Sequence, residues 1–291
     1  MRTVLRRSAV AGSWYPGTAS AITEEVDRHL EAAGPVSAPG RLVALVCPHA
    51  GLRYSGPVAA FGYGLLRSMA GRPGGAGREG DEAAVLAVVM VGPSHRAAFD
   101  GVALHGKGGW ETPLGRAPID EEIAQALLDA DPIVFEDADV HREEHSLEMQ
   151  MPFLQRLVPG LRIVPLLMGS QARGEVEALA AALAKALAGR RVLLVASSDL
   201  SHYQPASVAN RLDAAVVGEV GRLEAEALME RLEAHHNVAC GGGPVVAVMK
   251  AARALGADRA TVLKYGDSGD VGERDKSHVV GYLSAALTSG S

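Results

Sequence analysis

The chain has 291 residues, 48% of them hydrophobic and 4% aromatic, and carries a formal net charge of −6. That composition can fill a large core, while the 28 basic residues are scattered without a dense block, which argues against nucleic acid or an anionic membrane surface as a partner. No apolar run reaches the roughly 18 residues of a membrane span or resembles a signal peptide, and two cysteines argue against a disulfide framework, so a cytoplasmic protein is expected.

The first apolar strand is RLVALVCP (41–48), and residues 55–70 have helical periodicity. The glycine-rich stretch 71–80 is expected to be a loop. A second strand covers 83–95, with 100–106 placed to pair beside it. Helical patterns cover 119–130 and 143–158, followed by a strand at 161–169, a helix at 174–189 and a strand at 190–199. Helices are expected over 205–234 and 244–256, then alternating strands at 259–267 and 277–287. This alternation, without a repeat or a long linker, predicts one α/β domain over 1–291 with a largely parallel sheet.

Sheets of this kind bind ligands at the carboxyl ends of their strands. Three strands end there in ligand-capable clusters: His49 in CPHAG, His95 in GPSHR, and Asp199 with His202 in SSDLSHY. One histidine past a strand is ordinarily a loop residue. Three clusters on one rim point instead to a transition-metal site, because neutral imidazole is the commonest protein metal ligand.

Cys240 lies in ACGGGP, where three glycines allow close backbone approach and Pro244 suits the first turn of a helix. A thiolate there can be a ligand or a nucleophile; the plainer alternative is a small apolar residue under a glycine loop. His235 and His236 end a charged helix and are expected to be exposed. In EEHSLEMQMPF the spacing puts His145 and Glu148 on one helix face. Glu148 precedes an apolar stretch and should be partly buried, and a hydrogen bond to a metal-bound histidine is one role for such a carboxylate. For Glu144, the dipole at a helix start is reason enough. Cys47 reads as a small core residue near the pocket, with Pro48 limiting how the chain leaves the strand. A metal-free reading pairs Cys240 with a histidine supported by Asp199, as in a cysteine hydrolase, and leaves CPHAG and GPSHR partly unexplained. Walker, GxSxG and dinucleotide motifs are absent.

Taken in order, AGSWYPG, PHAGLRYSGPVAA, GPSHR, EEHSLEMQMPFLQ, SSDLSHY, ACGGGP and SHVVGYLS resemble the Memo family, also called AmmeMemoRadiSam system protein B, over nearly the whole chain. That family's fold resembles the class III extradiol dioxygenases, which cleave catechol rings with non-haem iron(II). The resemblance implies a three-layer α/β sandwich with a mixed, largely parallel central sheet. It implies metal ligands at His49, His95 and Cys240, and pocket residues Asp199 and His202, with His202 in the place of a general acid/base. Iron(II) is the expected metal, with copper or zinc as alternatives. A Cys240 thiolate where the dioxygenases have a carboxylate is softer and favours copper(I) or zinc more, so ring cleavage does not transfer with the fold. The expected function is a redox or dioxygenase-like enzyme acting on a small molecule or modified peptide. The alternative is a peptide-binding or metal-handling module using the same pocket. The family name also suggests a radical-SAM protein and an AMMECR-type protein as pathway partners.

Overall fold

The computed structural model describes residues 5–69, 87–235, 237–271 and 275–290; the expected loop at 71–80 and His236 lie outside them. The chain opens with a short strand β1 (Leu5–Arg7) and helix α1 (Ala19–Ala33). Strand β2 (Arg41–Cys47) leads into α2 (Leu52–Met69). Next come β3 (Ala87–Pro93), β4 (Val102–Leu104), β5 (Gly109–Thr112), β6 (Gly115–Pro118), α3 (Glu121–Leu128) and β7 (Val134–Glu136). A 3₁₀ turn at Glu148–Gln150 runs into α4 (Met151–Leu157), followed by β8 (Arg162–Met168), α5 (Arg173–Leu187), β9 (Val192–Ser197) and β10 (His202–Gln204). Helices α6 (Ala206–Gly221), α7 (Ala225–Ala234) and α8 (Gly242–Ala254) precede the closing strands β11 (Arg259–Asp267) and β12 (Val279–Ser289).

The main sheet runs β10-β12-β2-β9-β3-β8-β4-β7, with β11 also paired to β12. Its centre, β2-β9-β3-β8, is parallel, and antiparallel pairings with β12 and β4 flank it. The central strands are continuous apolar runs, as strands covered on both faces must be. Helices α1, α2 and α4 pack together as one layer, and α5 to α8 as the other. The sandwich is therefore the three-layer, mixed-sheet α/β fold the resemblance implied. Among the described residues, no helix is long and apolar enough to cross a membrane.

Tertiary structure altered several elements. Strand β4 pairs with β8 and β7, not with β3, because both edges of β3 are already taken by β9 and β8. The helical stretch expected over 205–234 is two helices, α6 and α7, divided at Leu223, whose φ is 57°. The helix expected from residue 143 starts only at the 3₁₀ turn, because the Glu144 carboxylate accepts the His145 and Ser146 N–H groups and holds a tight turn instead. Helix α1, capped by Thr18 accepting from the Ala21 N–H, and a small sheet β1-β5-β6 were not among the expected elements. In that sheet Arg6 lies directly across from Trp110.

Since β2, β9 and β3 are parallel neighbours, their carboxyl ends share one rim. His49, Asp199 and His95 follow those three ends.

A candidate metal centre at the carboxyl rim

Ser197 ends β9 and its hydroxyl donates to the Ser146 carbonyl at 2.7 Å while accepting from Gln150 Nε2 at 2.8 Å. With that single proton committed, the 2.8 Å contact from Ser197 Oγ to His49 Nδ1 must be donated by the imidazole. His49 therefore carries its proton on Nδ1 and its lone pair on Nε2. The His49 ring is buried, and burial first, then the neighbouring His95 and His145, holds its pKa well below the usual histidine range.

His95 reaches the same arrangement differently. Its Nδ1 lies 3.0 Å from Glu144 Oε1, and a carboxylate only accepts, so Nδ1 donates and, in the neutral ring, Nε2 keeps the lone pair. Glu144 Oε2 also accepts the His95 main-chain N–H at 2.5 Å. Burial opposes ionisation of Glu144, but the bonds from His95 and the Ser146 N–H outweigh it and hold its carboxyl below the usual range. His145 Nδ1 sits 3.2 Å from Glu144 Oε1 without making a hydrogen bond, and burial lowers its pKa to about 4. All three rings lie close: His95 and His145 stack at 4.5 Å between centroids, and His49 meets them edge-on at 5.2 and 5.6 Å. One ligand atom from each of His49, His95 and His145 lies within 4.8 Å of the other two, a group that could hold a metal ion.

Cys240 adjoins this group. Its Sγ is 3.1 Å from His49 Nε2, the Asp199 N–H donates to it at 3.3 Å, and its own N–H donates to the Asp199 carbonyl. Burial, with Asp199 nearby, pushes its thiol pKa up. Asp199 Oδ1 accepts the N–H groups of His49 and Ala50, and burial pushes the carboxyl up to about 7. His202 donates Nδ1–H to the Leu200 carbonyl at 2.8 Å, which leaves Nε2 as its acceptor; burial lowers its pKa. These residues line an open cleft of about 1140 Å³ with Trp14, Tyr54 and Tyr203 on its walls. Trp14 packs against His145 at 4.2 Å between ring centroids.

Of the residues expected from the sequence, His49, His95, Cys240, Asp199 and His202 come together on one cleft. His145 stands with His49 and His95 in the three-imidazole group. Glu148 does not bond a histidine: its carboxylate takes Ala9 N–H, Val10 N–H, Tyr15 OH and the Arg6 guanidinium. The bond to a rim histidine comes from Glu144 instead, since the turn at 141–147 points that side chain at His95. Trp14, Tyr54 and Tyr203 lie within the motifs AGSWYPG, PHAGLRYSGPVAA and SSDLSHY but were not among the expected cleft residues. Cys47 is fully buried against α2, where Gly62 leaves room for its thiol, and burial pushes its pKa up to about 12. His235 is exposed.

The glycines after Cys240 do permit close approach. A Cβ on Gly241 would collide with the Ser197 carbonyl and lie 2.9 Å from Ser198 Cβ; one on Gly243 would lie 2.8 Å from Gln171. Gly241→Ala is accordingly expected to cost about 1–3 kcal/mol. A denaturant midpoint equal to wild type would refute this close packing.

The sequence profile of Memo-like protein matches residues 6–286. A MEMO1 family protein of Methanocaldococcus jannaschii is 37% identical over 97% of this chain and 99% of its own. One from Thermotoga neapolitana is 36% identical over 98% and 100%, and one from Methanothermobacter thermautotrophicus 35% over 96% and 99%. Among solved structures, an uncharacterized protein of Escherichia coli K12 is similar at a TM-score of 0.48 and 17% identity, over 84% of this chain and 99% of that one. With the profile spanning nearly its full length and relatives aligned end to end, the chain belongs to the Memo family.

Proposed function

We propose that this protein binds a transition metal on His49, His95 and Cys240, with His145 as a further nitrogen donor, and works as a redox or dioxygenase-like enzyme. The observation that supports this is the convergence of lone pairs. The Nδ1–H groups of His49 and His95 are engaged from behind, which leaves Nε2 of each as an acceptor. Acceptors gathered this closely suit a cation between them. Iron(II) is the favoured ion, and the Cys240 thiol makes copper or zinc the alternatives. Once bound, such an ion supplies Lewis-acid and one-electron chemistry.

The chain's own residues handle binding and protons. His202 offers Nε2 as a proton acceptor on the cleft wall. Asp199 holds the main chain of His49 and Ala50 through Oδ1. The ligand is a small molecule or a modified peptide, within a pathway that also uses a radical-SAM protein and an AMMECR-type protein. The metal-free nucleophile reading is weaker. Cys240 does meet His49, but the orienting group on His49 Nδ1 is Ser197 and not Asp199.

The cleft volume favours a second reading, since about 1140 Å³ exceeds the roughly 300–1,000 Å³ usual for small-molecule sites. In that reading the pocket holds a peptide or passes on the metal without turnover. Anaerobically purified wild type is expected to hold roughly one iron per chain and to consume oxygen above a Cys240→Ser control when offered catechol-like compounds. Iron or copper binding without oxygen uptake would favour the second reading. Absence of useful affinity for either metal would end the enzyme reading and the metal-handling form of the second, leaving only a peptide-holding pocket.

A further inference from the structure

The turn that carries Glu144 and His145 is held from beneath by one side chain from the far end of the sequence. Arg6, on the short strand β1, is 5% exposed. Its Nε donates to the His141 carbonyl and one terminal nitrogen to the Glu144 carbonyl, both at 2.6 Å. The other terminal nitrogen pairs with Glu148 at 2.7 Å. Its face lies 4.2 Å over the ring of Trp110, its partner across the small sheet. A guanidinium is a rigid planar fork, so three acceptors and a stacked face leave it a single orientation. Its two carbonyl bonds bracket residues 141–144. From the end of that segment the Glu144 side chain bonds the His95 ring, the His95 N–H, the His145 N–H and the Ser146 N–H.

We propose that Arg6 is a positioning residue for the metal site, acting through the 141–144 turn on Glu144 and so on His95 and His145. The small sheet β1-β5-β6 thereby gains a role, which is to deliver Arg6 and Trp110 beneath that turn. This inference rests on the metal reading above. Arg6 touches none of the rim histidines, so its effect on a bound ion must pass through the carboxylate.

The test uses cobalt(II) as the probe, with titration calorimetry and the visible spectrum as readouts on the full chain. Arg6→Lys keeps the charge beside Glu148 but loses the fork to both carbonyls. It is expected to weaken cobalt binding about tenfold or more and to change the cobalt spectrum while keeping a cooperative melt. Glu144→Gln should do the same, and the double variant should lose no more than Glu144→Gln alone, since both act on one path. Leu179→Ala, a core change in the opposite helix layer, should lower the melt without altering affinity or spectrum. Should Arg6→Lys not fold, Trp110→Phe loosens the same stack and is expected to shift affinity and spectrum in the same direction by a smaller factor. Additive losses in the double variant, or cobalt affinity and spectrum equal to wild type in a folded Arg6→Lys or Trp110→Phe protein, overturn the proposal and leave the metal site standing. Failure of wild type itself to bind cobalt, iron, copper or zinc overturns the metal reading, and this inference with it.

Discussion

Replacing His49 or His95 by alanine is expected to lower iron affinity at least about a hundredfold, because each supplies a nitrogen whose tautomer is already set for coordination. In His49 the Ser197 hydroxyl sets it, and in His95 the Glu144 carboxylate does. Neither ring has to turn when a metal enters, so removing one forfeits a prepared ligand. Two further variants separate the remaining donors. His145→Ala is expected to weaken iron and copper alike, since it removes one corner of the three-imidazole group. Cys240→Ser is expected to weaken copper(I) more than iron(II), because the thiolate is the soft donor of the set. Metal content measured anaerobically on wild type and the four variants is the check. Equal content in all five proteins would refute the ligand assignment. Because Trp14 packs on His145, binding of a paramagnetic ion should also quench its fluorescence, giving a second readout free of turnover.

A second large effect concerns stability. Glu148 is fully buried and accepts from Ala9 N–H, Val10 N–H, Tyr15 OH and the Arg6 guanidinium. Glu148→Ala would strand a buried cation together with two main-chain N–H groups and a phenol. Breaking a buried pair from one side costs about 3–5 kcal/mol, a large part of the roughly 5–15 kcal/mol that holds a domain folded. A drop in thermal midpoint of about 10 °C is expected, with the N-terminal segment exposed to protease before the rest of the chain. Glu148→Gln should fall between, since its single carbonyl oxygen satisfies some of the four donors. A midpoint within about 2 °C of wild type for Glu148→Ala would show that this carboxylate does not fasten the segment. The outcome is independent of any metal, which separates it from the first experiment.

Much of this could be read from residues close together in sequence. Continuous apolar runs at 41–47, 87–93 and 192–197 mark strands buried on both faces, and the polar residues just after them mark the rim. His49, His95, Asp199 and His202 were legible for that reason: strand burial is a local pattern, and a parallel sheet places strand ends on one side. The glycines after Cys240 were legible as a close approach, though not what they approach.

What only the tertiary structure decided are the pairings across long stretches of chain. Glu144 and His95 are 49 residues apart, and Arg6 meets the Glu144 carbonyl across 138. No local periodicity encodes such contacts, because each depends on where two separately formed elements come to rest. The EEHSLEM stretch makes the point most sharply. Its spacing suits a helix with His145 and Glu148 on one face, yet the Glu144 carboxylate draws the preceding residues into a turn. That turn exchanges the roles of the two acids, so Glu144 orients a rim histidine while Glu148 anchors the N-terminal segment. The sequence by itself determined the sheet, its rim and most of the side chains that meet there; the long-range hydrogen bonds decided which carboxylate holds which of them, and brought His145 beside His49 and His95.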